Sequence, residues 1–324
     1  MQRDVVLVTG GNSGIGFEAA RALARAGWHV LLASRNRAAS SEAVARIERE
    51  SGAGSASELG LDLASLASVR QLAKEVEARD LRLRALVCNA GLQGRSLQRS
   101  ADGYELTFAA NHLGHFLLAN RLLPRLAARA PARIVVVASG VHDGAQRTGM
   151  PKPAISDFDA LAAGEDATAG PFSGARAYVH SKLCNVWFTY ELARRLEAAG
   201  LSSAARPLTV NAYDPGLVPG SGLARDYPPA LRWIWNRVLP GVARALTQVY
   251  PSISTAPKSG GALAKLVVDP ALERVTGKYF PSTARWREAP SSTESYDAVR
   301  ARALWEASVR LAALAPDESP LAVA

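Results

Sequence analysis

The chain begins its first ordered run with Asp4-Val5-Val6-Leu7-Val8-Thr9-Gly10-Gly11-Asn12-Ser13-Gly14-Ile15-Gly16, and the reading of this stretch decides the fold. Val5 to Val8 is unbroken apolar and mostly β-branched, the pattern of a strand buried on both faces. The glycines that follow permit a tight turn. From Gly14 to Ala26 the apolar residues Ile15, Ala19, Ala22 and Leu23 recur at helical spacing. A two-face-buried strand, a glycine-rich turn and an amphipathic helix form the opening of a βαβ unit.

The alternation continues outward from there. Strands are predicted over Asp4–Thr9, Trp28–Ser34, a run ending near Leu61–Asp62, Leu83–Asn89, Ala132–Ser139, Leu208–Tyr213 and Lys278–Phe280. Helices are predicted over Ala38–Glu50, Ser65–Arg79 with Ser65 as cap, Asp102–Ala128, Ser173–Ala199, 258–268 and Glu294–Ala312, with a loose tail after them. Strands such as Ile134-Val135-Val136-Val137 are apolar throughout, as a parallel sheet covered on both sides requires. The expected architecture is α/β, a doubly wound parallel sheet in one domain over 1–324. Two departures from the alternation stand out: an irregular insertion over 140–172 and a Pro-, Trp- and Arg-rich stretch over 215–257, expected to be a C-terminal lid of short helices.

Bulk composition narrows the function classes. Of 324 residues 48% are hydrophobic and 21% charged, ordinary globular usage that can bury a large core. The net charge of +9 is spread along the chain without a basic tail, and no nucleic-acid-binding signature accompanies it, so a nucleic-acid partner is not expected. Cys88 and Cys184 lie in apolar runs without metal-ligand spacing and read as buried free thiols. His112, His115, His142 and His180 lack the carboxylate and histidine neighbours of a metal set, so no metal is expected; His112 and His115 read as packing residues, and His180 as a residue that could line the pocket. No leader pattern and no apolar run of membrane-spanning length is visible, which gives a cytoplasmic expectation.

A glycine-rich turn between a strand and a helix N-terminus is a seat for a pyrophosphate. Glycine lets the backbone approach closely, and the helix start offers unpaired N–H groups and the positive end of its dipole. Gly10, Asn12, Ser13, Gly14, Ile15 and Gly16 are therefore candidate dinucleotide-binding residues. The second strand ends Ala33-Ser34-Arg35-Asn36-Arg37, with no acid for the ribose hydroxyls. Arg35 can fork onto a 2′-phosphate instead, which points to NADP(H). Further along, Tyr178 and Lys182 stand one helical turn apart, so the ammonium favours the phenolate and makes Tyr178 a usable acid–base group.

Taken in order, Thr9-Gly10-x-x-x-Gly14-x-Gly16, Asn89-Ala90-Gly91, Asn111, Ser139 and Tyr178-x-x-x-Lys182 resemble the short-chain dehydrogenase/reductase family, from about residue 4 to about 312. Ala101-Asp102-Gly103-Tyr104-Glu105, Asn111-His112-Leu113-Gly114-His115-Phe116, Ser181-Lys182-Leu183-Cys184-Asn185 and Leu304-Trp305-Glu306 resemble its branch of retinol dehydrogenases and light-dependent protochlorophyllide reductases. The resemblance implies a Rossmann fold and a catalytic set of Asn111, Ser139, Tyr178 and Lys182. In it Ser139 orients the substrate carbonyl, Asn111 holds a proton-relay water, and Lys182 also bonds the nicotinamide ribose beside Tyr178. Asp62 and Leu63 should flank the adenine, Asn89, Ala90 and Gly91 should line the cofactor, and Pro215-Gly216 should lie by the nicotinamide.

Two departures from the family pattern bear on function. Gly220 stands where many members have a cofactor-binding threonine, with Ser221 next to it as a substitute. Leu217 follows Pro215-Gly216 where protochlorophyllide reductases have a cysteine; leucine cannot donate a proton, which argues against the photochemical reaction, although the 140–172 insertion would suit it. The leading expectation is an NADPH-dependent enzyme that transfers hydride to an apolar or aromatic aldehyde or ketone, or runs in reverse on the alcohol. The alternatives are a protochlorophyllide-reductase-like enzyme and a non-catalytic NADPH-binding regulator. The sequence leaves open a monomer or a homodimer. It also leaves open whether Leu231–Leu239 packs Trp233 or Trp235 over a substrate or touches a membrane.

Overall fold

The computed structural model describes residues 3–146, 148–165, 170–222, 228–247 and 249–321. Parts of the predicted insertion (147 and 166–169), of the lid (223–227 and 248) and of the tail (322–324) lie outside the described residues.

Among the described residues seven parallel strands form one sheet: β1 (Val5–Thr9), β2 (His29–Ser34), β3 (Ala56–Gly60), β4 (Leu83–Cys88), β5 (Ala132–Val137), β6 (Leu208–Asp214) and β7 (Tyr279–Pro281). Their order is β3-β2-β1-β4-β5-β6-β7. The chain thus winds outward from β1 in one direction, then restarts at β4 in the other. The crevice at that reversal, at the carboxyl ends of the strands, is where open α/β sheets bind ligands. The period-two geometry of β1 divides its side chains between two cores. Val5 and Leu7 face the layer of α3 (Leu66–Glu77), α5 (Gly114–Ala128), α7 (Gly174–Ala198) and α11 (Ala298–Leu311). Val6 and Val8 face the layer of α1 (Gly14–Arg25), α2 (Arg37–Ser51) and α10 (Ala256–Val268).

The doubly wound sheet and the main helices follow the pattern read from the sequence, and Ser65 caps α3 by accepting the Ser68 N–H at 3.3 Å. Three expectations are corrected. The helix expected from Asp102 starts only at α4 (Leu106–Phe108), because Gly103 turns the chain with φ +86° and the Glu105 carboxylate caps the N–H groups of Thr107 and Phe108 at 2.8 and 2.7 Å. A single π-turn, Ala109–Leu113, then separates α4 from α5. The insertion is not wholly irregular: α6 (Phe158–Ala163) begins with Asp157 accepting the Ala160 N–H and ends at Gly164, φ +68°. The tail is not loose as far as residue 321. Leu314 and Leu321 are buried, Glu318 pairs with Arg70 and Arg121, and Ser319 donates to Asn120 at 2.8 Å.

The predicted lid contains α8 (Pro229–Trp233), a π-turn over Ile234–Val238 and α9 (Leu239–Leu246), which follow one another without a break. Among the described residues no helix is long and apolar enough to cross a membrane.

Candidate functional site

A cavity of about 1360 Å³ opens at the reversal point between β1 and β4. It is lined first by the turn after β1: Gly10, Asn12, Ser13, Gly14, Ile15 and Gly16. Gly10 and Gly14 have φ of +65° and +57°, the left-handed region that a side chain would strain. A Cβ on Gly16 would stand 2.5 Å from the Asn89 amide nitrogen and 2.5 Å from the Gly10 carbonyl, so only glycine closes this turn. Ser13 begins α1 without capping it through its side chain, and a Cβ on Gly14 would meet only Ser221 Cα at 3.9 Å. The first turn of α1 therefore presents uncapped N–H groups to open space in the cavity, which fits a pyrophosphate.

The turn is held from behind by a hydrogen-bond chain. The Thr9 hydroxyl accepts the N–H groups of Asn89 and Ala90 at 2.9 and 3.0 Å, and the Asn89 amide donates to the Thr9 carbonyl at 2.8 Å. Burial pushes the His115 pKa down to about 4, so its ring is neutral. Its Nδ1 faces the Asn111 carbonyl at 3.0 Å and must donate there. Nε2 is left as the acceptor for the Thr9 hydroxyl at 2.8 Å. The glycine-rich turn, the end of β4 and the π-turn carrying Asn111 are thus one connected unit. His115, read as a packing residue, is its central link.

At one end the cavity is lined by Arg35 and Asn36 after β2 and by Asp62 and Leu63 after β3. Arg35 is exposed, and Asn36 is engaged in capping α2 by accepting the Ala39 N–H at 3.0 Å. Asn89, Ala90 and Gly91 line the middle, after β4. Ser139, two residues beyond β5, and Tyr178 and Lys182 on α7 line the far end together with Pro215 and Gly216 after β6. The Lys182 ammonium donates to the Val137 carbonyl at 3.0 Å and lies 5.5 Å from the Tyr178 ring centroid. Burial brings its pKa down to about 8, against the opposing effect of Asp214.

Asn111 alone of the candidate residues does not line the cavity. It sits fully buried behind Gly91, where its side chain brackets Leu92, accepting the N–H at 2.8 Å and donating to the carbonyl at 2.9 Å. It also donates to the Ser181 hydroxyl at 3.0 Å, tying the loop after β4 to α7, which carries Tyr178 and Lys182. His180 is corrected: it faces away from the main cavity, and its Nε2 accepts the Ala154 N–H at 3.1 Å, anchoring the insertion. His112 is a core residue bonded to Ser308 at 2.9 Å. Gly220 has φ +80°, which disfavours a threonine there, and it is Ser221 that reaches the cavity wall.

Asp214 was not singled out by the sequence. Its carboxylate closes β6 in full burial, accepts the Gly216 N–H at 2.9 Å, and lies beside Gly140, so it joins the loops that carry Ser139 and Pro215-Gly216. Burial raises its pKa. An acid at the end of the apolar run Leu208–Tyr213 was the available signal. The insertion also contributes more than bulk: Gln146, Thr148 and Met150 line the cavity next to Ser139.

Comparison with known proteins agrees with this architecture. A model of the short chain dehydrogenase family matches residues 4–150. The human WW domain-containing oxidoreductase is 36% identical over 310 residues, 95% of this chain and 67% of that protein. The chloroplastic protochlorophyllide reductase A of Oryza sativa subsp. japonica is 34% identical over 335 residues, 97% of this chain and 82% of that protein. Among solved structures, an NAD(P)-dependent gluconate 5-dehydrogenase assigned from Beutenbergia cavernae, described with bound NADP, superposes with a TM-score of 0.61 at 26% identity, covering 88% of this chain and 97% of that one. The chain belongs to the short-chain dehydrogenase/reductase family of oxidoreductases, in the branch of retinol dehydrogenases and protochlorophyllide reductases.

Proposed function

We propose that this protein uses NADP(H) to reduce the carbonyl of an apolar or aromatic aldehyde or ketone, or oxidises the corresponding alcohol. The observation that carries the reading is convergence. Ser139, Tyr178 and Lys182, brought from two elements, face the same cavity as the uncapped start of α1 and Arg35. Arg35 is the cation suited to a 2′-phosphate, and β2 ends Ser34-Arg35-Asn36 without the acid that would favour an unphosphorylated ribose.

When bound, the reduced nicotinamide supplies the hydride. Everything else falls to the chain. The Ser139 hydroxyl hydrogen-bonds the substrate oxygen as charge develops on it. Tyr178 gives its phenolic proton to that oxygen, and the Lys182 ammonium stabilises the phenolate left behind. Asp214 holds the two loops in register by accepting the Gly216 N–H. Beyond Ser139 the wall is largely apolar, with Leu92, Val141, Met150, Leu217, Val218 and Trp235, and this supports an apolar substrate. Gln93 and Gln146 add amide groups that can fix a second oxygen.

A photochemical reading has one specific point in favour: similarity to protochlorophyllide reductases across 97% of the chain. Against it, Leu217 lies half-exposed on the cavity wall at the position of the family cysteine, and it offers no proton. Consumption of NADPH in the dark, measured on a panel of apolar aldehydes, ketones and quinones, separates the readings. Turnover is expected in the dark, and Tyr178→Phe lowers it about 10²–10⁴-fold while NADPH still binds. Tight NADPH binding without dark turnover on any member of the panel would transfer the assignment to the photoenzyme or to a non-catalytic binder.

A further inference from the structure

Ser139, the hydroxyl assigned to the substrate oxygen, sits two residues past β5 in extended backbone, with φ −170° and ψ 147°. Its side chain does not cap the 3₁₀ turn Gly140–His142 that follows, and it lines the cavity. A hydroxyl at a strand end is aimed by its backbone, and here the flanking peptides are held. The Ala138 N–H donates to the Tyr213 carbonyl at 2.7 Å. The peptide after Ser139 is held at both ends. The Asp214 carboxylate accepts the Gly140 N–H. The Ser139 carbonyl accepts twice, from the His142 N–H at 3.1 Å and from His142 Nδ1 at 2.7 Å.

His142 is fully buried and stands behind the cavity wall. Its two ring nitrogens have opposite tasks. Nδ1 faces a carbonyl and must donate, while Nε2 faces the Ser292 N–H at 3.2 Å and must accept. The partners alone therefore select the neutral ring, protonated at Nδ1. Burial agrees, lowering the pKa against the Ser139 carbonyl and the charges of Asp214, Asp143 and Glu294. Tyr279 on β7 packs edge-on against the ring at 5.2 Å. The outer partner is itself fixed. Ser292 accepts the Ser295 N–H at 3.3 Å and so starts a turn over Thr293–Tyr296. Trp187 on α7 donates to the Glu294 carbonyl at 2.9 Å, and the Tyr190 hydroxyl, also on α7, lies 2.6 Å from that of Ser291. The path from Ser139 through His142 to Ser292 thus ends on the helix that carries Tyr178 and Lys182. Ser139 follows β5 and the other two stand on α7, and this path sets one against the other.

We propose that His142 is a positioning residue that holds Ser139 in a fixed place relative to Tyr178 by donating from Nδ1 to the Ser139 carbonyl. The inference rests on the reading of Ser139 as the group that orients the substrate oxygen. His142→Gln keeps an acceptor near the Nε2 site and loses the Nδ1 donor. Its turnover should fall by up to about 100-fold, the scale of a misplaced reacting group, with NADPH affinity unchanged. His142→Asn returns an amide donor near the Nδ1 site and should recover most of the rate. In a Ser139→Ala background the His142→Gln change should cost nothing further, because the two residues act as one unit. An undiminished loss in that background, or equal losses in the Gln and Asn variants, would overturn the proposal. Full turnover by Ser139→Ala would instead remove the reading of Ser139, and the proposal with it. Nitrogen-15 NMR of the histidine rings in the parent protein needs no substrate and no variant to fold. At pH 7 Nε2 of His142 should be the unprotonated nitrogen and Nδ1 the protonated one. A ring protonated at Nε2 would overturn the proposal whatever the reaction is.

Discussion

Lys182 carries an ammonium into a position where only 3% of its surface reaches solvent. Burial holds its pKa at about 8, below the unfolded value of about 10.4. Between those two values the unfolded chain binds the extra proton and the folded chain does not, so this group's contribution to stability rises with pH across that window. Below about pH 8 the folded protein bears the whole cost of burying the ion. Lys182→Met should therefore raise the unfolding free energy at pH 7 by about 1–3 kcal/mol, read from denaturant titration, with the gain fading toward pH 10. The Val137 carbonyl keeps a partner in the Asn185 amide at 3.2 Å. Turnover should be lost in the same variant. Equal stability of the two proteins at every pH would mean that Asp214 fully compensates the ammonium. In the parent enzyme, carbonyl reduction should decline as pH rises through about 8, where the cation beside Tyr178 is lost.

At the scale of elements, the C-terminal segment after α11 behaves as a strap rather than a tail. Leu314 and Leu321 are buried at its two ends, and Glu318 sits between Arg70 on α3 and Arg121 on α5 at 2.8 and 3.0 Å. Deleting residues 314–324 should lower stability by roughly 3 kcal/mol, the scale of exposing two leucines. Urea unfolding with an unchanged NADPH affinity would check it. The strap was not legible because short apolar residues spread over a polar run show no period. The helix predicted from Asp102 failed for a related reason. Its apolar positions continue the helical spacing, but Gly103 and the Glu105 cap reset the start to Leu106. Local hydrogen bonding outweighed the periodicity.

For the whole molecule, a dinucleotide laid across the reversal point would touch loops from both halves of the sheet and should stabilise them together. Binding to the folded state alone stabilises by about 2.7 kcal/mol at a hundredfold excess over Kd. NADPH is expected to raise the thermal midpoint more than NADH at equal concentration. Arg35→Ala should remove most of that difference, weakening NADPH by about 10–100-fold, the range of a charge-assisted contact, and leaving NADH unaffected. An Arg35→Ala protein that still prefers NADPH would place the 2′-phosphate elsewhere, with Arg37 as the next cation in the sequence.

The doubly wound sheet, the glycine-rich turn and the Tyr178–Lys182 pair could be read from sequence because each rests on short-range rules: two-face-buried strands, backbone freedom at glycine, and one helical turn between side chains. The tertiary structure alone decided what depends on neighbours distant in the chain. Only it put Asn111 behind Gly91 rather than on the cavity wall, turned His180 toward Ala154, and placed Asp214 between two loops. It also divided the lid's tryptophans, sending Trp235 inward and Trp233 outward. Residues two apart on one helix differ by more than half a turn, and composition does not say which of them meets the body of the protein.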